Sequence, residues 1–168
     1  MTDAIELRRW ADGDLPILQR TVGDPALMTH LGGPEPEAKI LDRHRRYLEM
    51  GDPDRGTMFV ILLGPERVPV GTHGYWRVER DGLAAWETGW FVLIPFQGRG
   101  IATRATLSVV QRARADAPDR PIHALPSVEN AASNAVCRKA GFRLAGAIDD
   151  EYPPGRPIRS NDWVLDPR

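Results

Sequence analysis

The clearest chemical signal in the chain lies between Glu87 and Ala102. An apolar stretch, Trp90-Phe91-Val92-Leu93, runs into Gln97-Gly98-Arg99-Gly100, and helical spacing begins at Ile101. A helix start leaves several N–H groups without internal acceptors. Two glycines let the main chain approach a ligand closely, and the positive end of the helix dipole favours an anion there. The chemistry this suits is the cradling of a diphosphate by backbone amides, with Arg99 as a charge-assisted donor. The alternative is an ordinary strand-to-helix turn with its amides in water. Residue types exclude a Walker loop, which ends in Gly-Lys-Ser/Thr, because no lysine lies near Gly100. They also disfavour a dinucleotide fingerprint. Thr103 stands where its third glycine belongs, no acid closes the strand near Leu125, and the preceding strands read as hairpins rather than parallel crossovers.

Two titratable groups stand near this segment. Glu87 alternates with Gly89, Phe91 and Leu93 on a mostly apolar strand face, where a carboxylate's pKa rises toward that of a useful base; a pairing with a nearby arginine is the other reading. His73, within Gly71-Thr72-His73-Gly74, is either an alternative base or a hydrogen-bonded structural histidine.

The elements that must position these groups follow from periodicity. A short strand over 5–10 precedes helical stretches over 14–31 and 35–50, with Pro36-Glu37 as the second helix start. Strands over 58–63, 68–79 and 84–94 form an antiparallel meander, punctuated by Gly64-Pro65 and by Asp81-Gly82, a strong hairpin signal. A helix over 101–117 ends at Pro118. A strand over 121–125 and a helix over 130–140 follow, the latter closed by Gly141 as a left-handed cap. Strands over 142–147 and 158–165 flank the loop Pro153-Pro154-Gly155. This order predicts one α+β domain over residues 1–168, built on a mixed, mostly antiparallel central sheet. The five tryptophans read as core and sheet-face packing.

Composition excludes several partners. Twenty-two basic against 23 acidic residues, a formal charge of -1, offer no basic surface for nucleic acid. The longest apolar runs fall far short of the ~20 residues of a membrane span, and an acidic amino-terminal segment lacks the features of a secretion signal, so a cytoplasmic protein is expected. One cysteine, Cys137, excludes an internal disulfide, and the four histidines show no metal-ligand spacing, so no metal is expected.

Gln97-Gly98-Arg99-Gly100-Ile101-Ala102 resembles the Gln/Arg-x-x-Gly-x-Gly/Ala pyrophosphate loop of the GNAT acyltransferases. About thirty residues on, Asn130-Ala131-Ala132-Ser133 through Lys139-Ala140-Gly141-Phe142 resembles that family's Asn-x-x-Ser segment with its Lys-x-Gly-Phe ending. The element order resembles the family over essentially the whole chain. Glu87-x-Gly89-Trp90 and Leu31-Gly32-Gly33-Pro34 resemble the Rim-type branch, which acetylates ribosomal-protein N-termini.

The resemblance implies a GNAT-like sheet flanked by helices on both faces. It also implies acetyl-CoA as cosubstrate, a primary amine of a protein N-terminus or small molecule as acceptor, and direct attack in a ternary complex. A homodimer is common in the family. By the same resemblance, the strand carrying residues 90–93 is splayed from its neighbour near a bulge. Free backbone groups of Phe91, Val92 and Leu93 there hold the pantetheine arm, and one N–H serves as oxyanion donor. Gln97, Gly98, Arg99, Gly100, Ile101, Ala102 and Thr103 hold the diphosphate. Asn130 and Ser133 line the pantetheine side, and Lys139 lies near the phosphates or on the surface. Glu87 is the candidate base. Many members carry a tyrosine acid four residues before the Gly-Phe pair, where this chain has Cys137. Either Cys137 or Ser133 then protonates the departing thiolate, or Cys137 is a small buried hydrophobe. The missing tyrosine also supports a different reading, a CoA-binding regulatory or assembly module without catalysis.

Overall fold

Asp81 and Gly82 both adopt positive φ, 52° and 77°, the geometry of the two-residue turn whose twist matches a right-handed hairpin. That turn sets the frame of the sheet. The computed structural model describes residues 3–168, in which β3 (Val68–Arg80) and β4 (Leu83–Val92) pair without interruption from Arg80↔Leu83 to Gly71↔Val92. β1 (Ile5–Arg9) and β2 (Gly56–Leu63) extend the meander on one side. On the other lie β5 (Ile122–Ala124), β7 (Pro157–Leu165) and β6 (Arg143–Glu151), giving the order β1-β2-β3-β4-β5-β7-β6. Every pairing is antiparallel except that of β4 with β5. The expected α+β sheet, mostly antiparallel with helices on both faces, is what forms.

Helices α3 (Ile101–Asp116) and α4 (Ala131–Lys139) pack on one face, over a core that includes Tyr75, Trp86, Val109, Ala113, Cys137 and Trp163. Trp86 is fully buried there, and its truncation to alanine is worth about 3–5 kcal/mol by the usual cost of emptying a core aromatic. Helices α1 (Leu15–Thr21) and α2 (Glu37–Leu48) cover the opposite face, with Ile17, Leu18, Val22 and Ile40 against Met58, Val60 and Leu62 of β2. Among the described residues no helix is long and apolar enough to cross a membrane.

The first helix is shorter than the spacing predicts. α1 stops at Thr21, and residues 22–36 run as turns up to the expected start of α2 after Pro36. Pro25 keeps Asp24 out of the helical region, and the Asp24 carboxylate accepts the Ala26 N–H at 2.7 Å instead. Gly32 and Gly33, at φ 87° and 89°, continue the turn. The carboxy-terminal hairpin is longer than predicted, reaching Glu151↔Pro157. β6 is an edge strand with most side chains in solvent, so apolar alternation did not mark its extent.

Candidate active site

After β4 the chain makes a single 3-10 turn over Ile94–Phe96, then passes Gln97 to Gly98 (φ 73°) and Gly100 (φ 70°), which precedes the first residue of α3. Both glycines are left-handed, the conformation that disfavours a side chain. A Cβ built on either meets nothing within 4 Å, so the space over the turn is open to a ligand. Among the described residues no backbone or capping partner takes the N–H groups of Gly98 through Thr103; the first satisfied amide is Arg104 N–H, on Gly100 C=O at 3.1 Å. The Gln97 side chain points back and donates to Val92 C=O at 2.9 Å, fixing the turn against the strand end. Arg99 lies at the rim, paired with Asp3 at 2.6 Å and half exposed, and Arg104 donates to Asp3 C=O at 2.7 Å. The turn therefore presents unpartnered amides to open space, with the half-exposed Arg99 beside it.

The strand leading to the cradle is unpaired along one edge. β4 and β5 share only Trp86↔Ile122, Glu87↔His123 and Thr88↔Ala124. Beyond Ala124 the chain follows β7 instead, through the Ser127↔Ser160 bridge and Asn161 N–H on Pro126 C=O at 2.9 Å, while β4 runs on beside β3. Ladder parity then decides which amides face the gap. Leu93 donates to Val70 C=O at 2.8 Å and Trp86 to Pro121 C=O at 2.8 Å. Odd-numbered residues of β4 therefore turn their main-chain groups toward β3, and even-numbered ones toward β5 and the gap. Of the three residues expected to offer free backbone, Phe91 and Leu93 face β3 and Val92 alone presents its N–H to the gap. Trp90, which the motif reading passed over, presents both its N–H and C=O. The register of β4 on β3 is continuous, so the expected bulge is not there; register shifts lie instead between β2 and β3, at Ile61/Leu62, and between β6 and β7, at Leu144/Gly146.

On the α1/α2 face of this strand stand Glu87, Gly89, Phe91 and Leu93. Trp76 lies over Gly89, its ring edge 3.0 Å from where a Cβ would sit, so any side chain there would have to push the ring aside. Burial pushes the Glu87 carboxyl above its ordinary range, opposed by Arg80, whose Nη2 lies 3.3 Å away; Glu87 keeps about a quarter of its side chain exposed (24 %). Beside it on β5, His123 Nδ1 lies 2.7 Å from Asp162 Oδ1 of β7. An open cleft of about 490 Å³ between α1 and the end of β4 is lined in part by Arg20, Asp24, Leu93 and Pro95.

Across the sheet, α4 presents the second motif. Asn130 caps it, its Oδ1 accepting Ser133 N–H at 3.1 Å, and Gly141 (φ 87°) closes it with Phe142 N–H on Cys137 C=O at 3.0 Å. Ser133 is half-buried and Lys139 exposed. Cys137 is sealed in the core, where burial pushes its thiol up to about 12. Asn134, unremarked in the sequence, is the anchor of this helix start. Its Nδ2 donates to Ser127 C=O and Asn130 C=O, and its Oδ1 accepts from Asn161 Nδ2 and Trp163 Nε1, all at 2.8–2.9 Å. The signal for it was a buried amide inside a short helix. His73 is fully buried on the α3 face, bound to Thr106 Oγ1 at 2.9 Å, and burial lowers it to about 3. It is thus a neutral structural histidine, out of reach of the acceptor side.

Residues 4–143 match the sequence model of the acetyltransferase (GNAT) domain. No curated protein matches the chain. Solved structures of the same fold include an acetyltransferase of the GNAT family from Bacillus anthracis, at 18 % identity and TM-score 0.79 over 98 % of this chain and 96 % of that one. A Salmonella typhimurium acetyl transferase that modifies the N-terminal serine of ribosomal protein L7/L12 matches at 22 % and 0.78 over 98 % and 95 %. A Vibrio cholerae spermidine N-acetyltransferase in complex with CoA and spermine matches at 16 % and 0.77 over 96 % and 94 %.

Proposed function

The chain belongs to the GNAT acetyltransferase family, and from that premise we propose that it transfers acetyl from acetyl-CoA to a primary amine by direct attack. The observation that carries the reading is the left-handed Gly98 and Gly100 pair, with open space above and unclaimed amides around it, in line with the unpaired edge of β4. Amides from Gly98 to Thr103 bind the diphosphate, with Arg99 exchanging Asp3 for a phosphate. Trp90 and Val92 hold the pantetheine arm, Val92 N–H being the donor for the carbonyl oxygen as it becomes an oxyanion. Asn130 and Ser133 close the other side of the gap.

The acceptor reaches the carbonyl from the α1/α2 face. Glu87 supplies the negative charge that draws an alkylammonium, with Asp150 adding to it. An amine with a pKa of about 8–10 carries a surplus proton at neutral pH, which must leave before attack. When the tetrahedral intermediate collapses the C–S bond breaks, and the sulfur needs a proton. Ser133 is better placed for this than Cys137, because its hydroxyl is partly exposed at the start of α4 and can relay a proton, whereas the Cys137 thiol is sealed in the core away from any ligand. Kinship in fold with acetylators of a ribosomal-protein N-terminus and of a polyamine supports both acceptor classes.

The test is calorimetric CoA binding together with CoA release from acetyl-CoA across a panel of N-terminal peptides, polyamines and aminoglycosides, with mass detection of the acetylated product. Turnover on any amine supports the proposal. Tight CoA binding with no turnover favours the non-catalytic module that the absent tyrosine suggests, and absence of CoA binding overturns both.

A further inference from the structure

The Glu87 carboxylate is already engaged by the Arg80 guanidinium, Nη2 to Oε2 at 3.3 Å, so it is suited to holding an ammonium while a second group takes the surplus proton. The neighbouring strand offers that group. His123 is the Cα partner of Glu87 in the parallel β4·β5 pairing, so the two side chains stand next to each other on the α1/α2 face, one residue before the gap opens. Asp162 of β7 meets His123 Nδ1 at 2.7 Å, and both side chains are mostly buried, at 12 % and 15 % exposure. A carboxylate at Nδ1 places the neutral ring's proton there and leaves Nε2 bare. Nε2 has no protein partner among the described residues and is not among the atoms sealed from solvent. An imidazole oriented by a buried carboxylate, with its other nitrogen free, is the working arrangement of a general base.

We propose that His123 Nε2 takes the surplus proton of the attacking amine, directly or through one water, with Asp162 as its positioning residue and Glu87 holding the ammonium. The inference rests on the acetyl-transfer reading and completes its base. Protons balance: the ammonium loses one proton to His123, which passes it to solvent. As the N–C bond forms and the C–S bond breaks, the second proton ends on the coenzyme sulfur. The charged groups beside His123 are Glu87 of β4 and Asp162 of β7, with Arg80 of β3 and Asp150 of β6 acting on Glu87.

Two measurements on the full chain test this. Long-range ¹H–¹⁵N NMR of the wild type reads the tautomer, and the expectation is a neutral ring protonated at Nδ1, with the preference lost in Asp162→Asn. With an acceptor found in the amine panel, His123→Gln is expected to lower kcat about 100-fold at neutral pH, with the KM for acetyl-CoA unchanged. Free imidazole should restore part of the rate in His123→Ala, which a merely structural histidine would not allow. A wild-type ring protonated at Nε2 overturns the proposal, as does wild-type kcat in His123→Gln; in both cases a wild type that still acetylates amines leaves the acetyl-transfer reading standing. A wild type that neither binds CoA nor acetylates any amine removes that reading, and the base with it.

Discussion

Gly100→Ala separates the cradle from the fold that carries it. Gly100 sits at φ 70°, and an added methyl meets no protein atom within 4 Å. The variant therefore bears only the strain of a left-handed alanine, about 1–2 kcal/mol. At roughly 2–4 °C per kcal/mol for a domain of this size, its melting temperature should drop by about 2–8 °C. The methyl occupies the space through which a diphosphate would approach the amides of Ile101 and Ala102. Losing one charge-assisted hydrogen bond costs about 1.5–3 kcal/mol, so the Kd for CoA should rise at least about tenfold. Gly82→Ala is the matched control. Its φ is 77°, its Cβ also meets nothing, and it lies at the far end of the β3–β4 hairpin, so it should lose similar stability and no CoA affinity. Thermal melts and calorimetry on the two variants and the wild type read both quantities. Equal CoA affinity in Gly100→Ala and Gly82→Ala would refute the cradle.

Glu87→Gln should raise the KM for the amine about tenfold while leaving CoA binding unchanged, and an unaltered amine KM would remove Glu87 from the acceptor side. Ser133→Ala should lower kcat by about 10- to 100-fold, whereas Cys137→Ala should keep kcat within about threefold of the wild type; the reverse order would return the acid role to the thiol. The Cys137 thiol should react with aromatic disulfide reagents at pH 8 only on unfolding, because it is fully buried with its pKa near 12. An unfolded histidine takes a proton below about 6.5, but His73 in the fold does so only near 3. Between these values the unfolded state binds more protons, so stability falls as pH drops, by up to about 1.4 kcal/mol per pH unit from this group. Denaturant titrations of His73→Gln should show a shallower loss over that range, and an identical slope would show that His73 does not carry it.

The glycine turn before α3 and the two ends of α4 were legible because they are written in residues with few structural uses. Gly98, Gly100 and Gly141 mark left-handed backbone, and Asn130 marks a cap. The parity of β4 was legible too, though the motif reading missed it. A two-residue Asp81-Gly82 turn makes Arg80 and Leu83 a hydrogen-bonded pair, so every odd residue of β4 must face β3. Counting from the turn places Phe91 and Leu93 on the paired side and Trp90 and Val92 on the open one. His123 was not legible, since its meaning comes from two other strands. Glu87 precedes it by 36 positions and Asp162 follows it by 39, and no local pattern brings these three together. The length of β6 was misjudged because its exposed positions carry little periodic signal, and the end of α1 because apolar residues continue past Thr21 through buried Val22 and Met28 although Pro25 breaks the helix.

The gap between β4 and β5 links these two halves. β5 pairs with β4 for only three residues; beyond them Pro126 C=O accepts Asn161 N–H and the bridge at Ser127 draws the chain toward β7. A longer β5 would zip the sheet shut, saturating the amides of Trp90 and Val92 and separating α4 from the Glu87 and His123 face. In the transfer we propose, a thioester held on the α3/α4 side of the open gap exposes its carbonyl to an amine arriving from the α1/α2 side. Proton loss from nitrogen and proton gain by sulfur then occur on opposite faces of one sheet. The cradle can then stay constant, since backbone amides bind a diphosphate whatever the acceptor. The acceptor surface, built from side chains of β4, β5 and β7 and from the turns over residues 22–36, can change without disturbing it.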